Sequence, residues 1–141
     1  MTSRSKNLPS GVYQAPADLK PLRDTAELAK VAWFDVNLAG VDGKRAFLAA
    51  CAKSLRFPRS FGGNWDALAD CLKDLCADSV ISCRNCGGFA EAVPDDYATA
   101  LEIFQDAASY WKERGSVLIA VVDVEPQGVR LARFPASRTG I

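Results

Sequence analysis

The stretch Phe57-Pro-Arg-Ser-Phe-Gly-Gly-Asn-Trp-Asp-Ala-Leu-Ala-Asp-Cys-Leu72 joins a glycine-containing loop to the start of a helix. Pro58 ends the preceding helix, because a residue that comes before proline avoids helical geometry. Asn64 is a strong N-cap, since its side chain can accept a hydrogen bond from a free backbone N–H of the first turn. The stretch therefore predicts a loop over residues 59–63 and a helix from Asn64 to about Leu75–Ala77.

The helix predicted by this stretch has two sides of opposite character. Its apolar residues gather on one side, which is typical of a helix packed on a core: Trp65, Leu68, Cys71, Leu72, Leu75 and Cys76. Asp66, Asp70 and Asp74 recur every four residues on the opposite side, and Asp78 continues the series. Like charges at this spacing destabilise a helix by about 0.2–0.5 kcal/mol per pair, and Lys73 is the one base nearby. Such a face suits a positively charged partner, although a solvated acidic surface has the same pattern.

The charges of the whole chain cancel, but they are unevenly distributed. The 141 residues contain 17 basic and 17 acidic side chains, so binding of nucleic acid through a globally positive surface is not expected. Residues 60–106 contain nine acids and two bases, whereas residues 1–30 and 124–141 each carry a net charge of +2. The sequence has no histidine, which excludes His-based catalytic triads and His metal ligands.

The pattern around this helix predicts an α/β fold with a parallel sheet, because strands that alternate with helices pair in parallel. We expect strands at Val31–Leu38, Ser79–Cys83 and Ser116–Val122, and further helices at Lys44–Leu55 and Pro94–Glu113. Residues 1–29 contain three prolines and little apolar pattern, which predicts an N-terminal arm with little structure of its own. Residues 30–123 form the predicted domain. Residues 124–141 form a basic extension in which Val129–Phe134 can add a strand.

Four of the five cysteines lie within sixteen residues, at positions 71, 76, 83 and 86. The C-x-x-C spacing of Cys83 and Cys86 occurs in zinc sites and in redox dithiols. A buried cysteine otherwise behaves as a small hydrophobe. The sequence favours buried thiols with no metal and no cofactor, and it leaves zinc and a dithiol as alternatives.

The ends and the apolar runs of the chain predict a cytoplasmic protein with no membrane contact. No apolar stretch follows the basic residues near Met1, so no secretory signal is expected there. The longest apolar run, Val117–Val122, is far too short to span a membrane. Reduced thiols in a cytoplasm fit the odd number of cysteines.

The opening stretch resembles the barstar family of intracellular ribonuclease inhibitors. The shared pattern is a proline, an aromatic residue, Gly-x-Asn, an apolar residue and Asp-Ala-Leu-x-Asp-Cys-Leu. The matching residues here are Pro58, Phe61, Gly62, Asn64, Asp66, Ala67, Leu68, Asp70, Cys71 and Leu72. The order of strands and helices extends the resemblance over residues 31–123. It implies a barstar-like fold, with a small three-stranded parallel sheet packed with about four helices.

The resemblance also implies that this helix and its preceding loop block the active site of a basic, barnase-like ribonuclease. Asp70 matches the family's principal interface acid, Asp66 matches a second one, and Asp106 in Phe104-Gln-Asp106 is a candidate third contact. The expected partner-binding residues are Ser60, Phe61, Asn64, Trp65, Asp66, Ala69, Asp70, Asp74 and Asp106. No residue is expected to be catalytic.

Three departures from the family pattern bear on the target. Ser60 and Ala69 stand where barstar has aromatic residues, and Asp74 stands where it has glycine. The loss of the two aromatic residues weakens the case for barnase itself as the target, whereas the acidic residues expected to bind the enzyme are retained. A barstar-fold module that binds a basic partner other than a nuclease is the alternative.

An enzymatic alternative would use Asp66 and Asp70 as paired carboxylates. It is disfavoured, because neighbours on an exposed helix face lack the burial that acid catalysis needs. Trp65 could supply an apolar contact to a partner, but its helical spacing points to the core.

Overall fold

The fold is described from a computed structural model that covers residues 8–58, 61–75, 77–126 and 130–133. Within these ranges the chain forms four strands and five helices. In chain order they are β1 (Gly11–Gln14), α1 (Lys20–Leu28), β2 (Ala32–Asn37), α2 (Lys44–Leu55), α3 (Trp65–Lys73), β3 (Ser79–Arg84), α4 (Gly87–Ala92), α5 (Pro94–Glu113) and β4 (Leu118–Val122).

The four strands form one parallel sheet in the order β1-β4-β3-β2. Ser79 at the start of β3 lies between Ala32 of β2 and Leu118 of β4. Every residue of β4 is buried, as are all residues of β3 except Arg84. These two central strands are covered on both faces, which the continuous apolar run within Ser116–Val122 predicts for β4.

The two faces of the sheet carry two separate cores. Helices α2–α5 cover one face, where Phe47 stacks on Phe89 with ring centroids 4.9 Å apart. Helix α1 covers the opposite face, where Leu22 and Ala26 contact a cluster that includes Ile119. The molecule therefore has three layers, and the helices of the larger core carry the sequence that resembles barstar.

The predicted three-stranded sheet is wrong, because β1 adds a fourth strand at the β4 edge. The predicted lack of structure over residues 1–29 is also wrong for β1 and α1. Pro21 lies in the first turn of α1, where its missing N–H costs nothing. Buried apolar residues in this region are few and widely spaced, which hides the periodicity, yet Leu22 and Ala26 are each only 1% exposed.

The C-terminal extension contacts the sheet through β1. Gln14 donates its backbone N–H to the carbonyl of Ala132 at 2.8 Å and forms a parallel bridge with Arg133. The ends of the strand predicted at Val129–Phe134 lie outside the described residues. Among the residues that the structure does describe, no helix has the length and apolar character to cross a bilayer.

The remaining predicted strands and helices are confirmed, with differences of one or two residues at the strand ends and of two to four residues at the end of α3. The strands near residues 32–37, 79–84 and 118–122 and the helices α2 and α5 occupy the expected positions. Helix α3 ends at Lys73, two to four residues earlier than predicted, and Asp74 donates its N–H to the carbonyl of Cys71 at 3.1 Å. A bond over three residues tightens the last turn and ends the helix.

Candidate functional site

The junction between the loop and α3 is held by a capping hydrogen bond. Asn64 has an extended backbone, and its side-chain oxygen accepts a 2.7 Å bond from the N–H of Ala67, as the sequence predicts. Gly63 precedes it with φ of +71°, a conformation that residues with a Cβ rarely adopt. The first turn of α3 therefore starts from a fixed geometry.

The underside of α3 fixes the helix to the larger core. Leu68 and Leu72 have no exposed surface. The indole N–H of Trp111, near the end of α5, donates a 2.9 Å hydrogen bond to the carbonyl of Leu72. Helix α3 is thus attached to α5 both by apolar packing and by a polar bond at its last turn.

The outer side of α3 carries Asp66, Asp70 and Asp74, which we call the acidic face. All three are exposed, and none forms an ion pair with a base in the described part of the chain. The helix dipole favours Asp66 in the first turn but disfavours Asp74, which is the C-cap. Among the described residues, no basic side chain neutralises the carboxylate of Asp70 or Asp74.

The base closest in sequence to the acidic face is directed elsewhere. Lys73 places its ammonium nitrogen 5.4 Å from the ring centroid of Tyr110, which is cation–π distance. The guanidinium carbon of Arg114 lies 3.6 Å from the same centroid. Tyr110 of α5 therefore collects two positive charges beside α3.

The aromatic residues at the start of the site serve the core more than the surface. Phe61 is half-buried and contacts Phe57 with centroids 5.1 Å apart. Trp65 is also half-buried, its ring centroid lies 6.1 Å from that of Phe47, and the Lys44 ammonium lies 5.4 Å from its own centroid. The core role expected for Trp65 from its spacing is confirmed.

Three further residues were predicted to bind a partner, and the structure describes two of them. Ala69 is half-buried on α3, and Asp106 is exposed on α5, the helix that packs against α3. Ser60 lies outside the described residues. Whether any of these residues contacts a partner stays a prediction.

Asp78 does not continue the acidic face. It lies beyond the end of α3, and its carboxylate accepts a 3.0 Å hydrogen bond from the N–H of Val117, just before β4. Its backbone carbonyl accepts a further bond from Ala32 at 2.9 Å. Asp78 thus joins the starts of three strands, a long-range role that no local spacing reveals.

Three cysteines are buried in the larger core. Cys51, Cys83 and Cys86 are free thiols, and burial raises the pKa of each, that of Cys86 to about 12 with a further contribution from the negative charge of Asp123. Cys76 lies outside the described residues. Among those described, no group of three or more Cys, Asp or Glu side chains is arranged to hold a metal ion.

The thiol of the half-buried Cys71 is influenced by the charges of the acidic face. The pKa of its thiol is raised first by burial and then by the negative charges of Asp74 and Asp70. Both carboxylates therefore act on the same stretch of α3.

Two residues of this site were missed by the sequence analysis. Lys44 and Tyr110 reach α3 from α2 and α5, so their contacts join residues more than twenty positions apart. One local feature pointed to Tyr110: Arg114 lies four residues later on the same helix, a spacing at which side chains make contact.

A comparison with models of protein families matches residues 31–123 to the family described as Barstar (barnase inhibitor). This chain belongs to the barstar family. The match covers β2 to the end of β4, so β1 and α1 lie outside the part that defines a barstar domain. No curated protein matches the chain.

Proposed function

We propose that this barstar-family chain is an intracellular inhibitor of a basic ribonuclease. The acidic face and the segment that precedes α3 enter the active-site cleft of the enzyme. There the carboxylates take the place of substrate phosphates beside the cationic groups of the enzyme. RNA is excluded sterically and electrostatically, and the chain performs no catalysis.

The proposal rests mainly on the exposure of the acidic face, which forms no ion pair within the described residues and lies on a helix whose other side is fixed to the core. Because the backbone of α3 is already fixed, binding orders little beyond the side chains of the three acids, whose charges can steer a basic partner and form interfacial ion pairs. Asp74 at the C-cap opposes the helix dipole, and a partner that supplies positive charge explains its presence there.

The small Ala69 defines the kind of enzyme expected. It lies between Leu68 and Asp70 on the same helix and offers no large apolar group to a partner. We therefore propose a target whose cleft is basic like that of barnase but which does not need an aromatic anchor at this position.

An inhibition assay tests the proposal. Full-length chain is added in increasing amounts to a panel of basic ribonucleases of the barnase type, and RNA cleavage is followed by fluorescence. We expect at least one enzyme to lose activity at a stoichiometric ratio of one chain to one enzyme. Binding of a basic protein that is not a nuclease, without inhibition of any enzyme in the panel, would support the alternative of a general protein-binding module.

A further inference from the structure

Tyr110 contacts Lys73, the base of α3 that is close enough in sequence to pair with the acidic face. Lys73 is three residues from Asp70 on α3, a spacing at which oppositely charged side chains pair on a helix surface. Yet no ion pair joins Lys73 to any described acid, and its ammonium lies 5.4 Å from the Tyr110 ring centroid instead.

The ring that receives Lys73 is itself held in place. The guanidinium of Arg114 lies 3.6 Å from the Tyr110 centroid and also donates a 3.0 Å bond to the Tyr110 carbonyl. The neighbouring Trp111 fixes this end of α5 to the carbonyl of Leu72. The position of the ring relative to Lys73 therefore follows from the packing of α5 on α3.

We propose that Tyr110 is a positioning residue that withdraws Lys73 from Asp70 and so keeps the acidic face free for its partner. The proposal rests on the proposed function for its consequence, although the withdrawal of Lys73 can be measured on the chain alone. A partner that is attracted by carboxylates would meet a weaker field if Lys73 turned back across the helix.

The first experiment needs no partner. A carbodiimide activates a carboxylate as an O-acylisourea, and the deprotonated amine of a lysine in contact displaces the urea to form an amide. Mass spectrometry of the peptides locates the new amide. In the unaltered chain we expect the exposed Lys20–Asp24 pair, 2.9 Å apart, to be joined and Lys73–Asp70 to be joined far less. Equal yields of the two products would overturn the proposal.

Variants then separate the ring from the hydroxyl. Tyr110→Leu removes the π face and should raise the Lys73–Asp70 yield, whereas Tyr110→Phe retains the face and should leave the yield unchanged. If Tyr110→Phe behaves like Tyr110→Leu, the π face does not hold Lys73, and the proposal is wrong. If Tyr110→Leu does not fold, the comparison in the unaltered chain still tests whether Lys73 is withdrawn from Asp70.

The functional consequence is measured as the rate at which the chain associates with a ribonuclease that it inhibits. Tyr110→Leu should slow association by about two- to fivefold, and Lys73→Gln in the same chain should restore it. Failure of Lys73→Gln to restore association would contradict the proposal. If the crosslinks behave as expected but no ribonuclease binds even the unaltered chain, the positioning role stands and the proposed function fails.

Discussion

The indole N–H of Trp111 in α5 donates to the main-chain carbonyl of Leu72 in α3, with 2.9 Å between nitrogen and oxygen. This bond lies on the opposite side of α3 from the acidic face. It links a residue of the long helix to the last turn of the helix that is proposed to bind. The orientation of the acidic face therefore depends on a contact 39 residues away in sequence.

Removal of this bond should loosen the end of α3. We expect Trp111→Phe to lower the free energy of unfolding by about 0.5–1.5 kcal/mol, the usual net value of one hydrogen bond. Urea denaturation followed by circular dichroism measures the loss. Trp33→Phe is the control, because its indole bond to Asp35 is exposed and longer, at 3.3 Å. Equal losses in the two variants would show that the bond to Leu72 has no special role.

Helix α1 should behave as part of the folded domain. Leu22 is 1% exposed and Leu28 is 74% exposed on the same helix. We expect Leu22→Ala to lower the free energy of unfolding by about 2–5 kcal/mol, because it leaves a cavity in the smaller core. Leu28→Ala should change it by less than about 0.5 kcal/mol. Denaturant titration compares them, and similar small effects would mean that α1 contributes little to stability.

These contacts show what the sequence could and could not predict. The positions of α2 and α5 follow from the helical spacing of their apolar residues, and those of β3 and β4 follow from short apolar runs. The cap at Asn64 and the exposure of Asp70 follow from local spacing. In contrast, β1 and α1 gain their stability from a sheet face formed by residues far along the chain, so their own pattern is weak.

The same distinction applies within the candidate site. The role of Asp78 is set by Val117, and the direction of Lys73 is set by Tyr110. Each pair is joined only when the sheet and α5 are assembled. Helical spacing therefore predicts the exposed acids of α3, but it wrongly groups Asp78 with them.

The field of the acidic face should be measurable at Cys71. Asp74 and Asp70 contribute to the raised pKa of its thiol, after burial. Replacement of both by Asn removes two negative charges, so the pKa falls and more thiolate is present at a given pH. Because the thiolate is the nucleophile, iodoacetamide near pH 8 should modify Cys71 faster, by about twofold or more.

Peptide mass spectrometry separates Cys71 from the other cysteines in this experiment. Asp95→Asn is the control, since Asp95 is an exposed acid in the first turn of α5. An unchanged rate in the double variant would mean that the two carboxylates lie too far from the thiol to influence it.

The carboxylate of Asp70 is proposed to be an interfacial charge, and one affinity comparison tests this role most directly. Calorimetry measures the dissociation constant of the complex with a basic ribonuclease that the chain inhibits. The unaltered chain is compared with Asp70→Asn and Asp95→Asn. Loss of one partner from an interfacial charge pair costs about 2–5 kcal/mol, a general range to which the barnase–barstar complex itself contributes. We therefore expect Asp70→Asn to weaken binding by about thirtyfold or more and Asp95→Asn by less than about threefold. Equal, small losses for the two variants would contradict the claim.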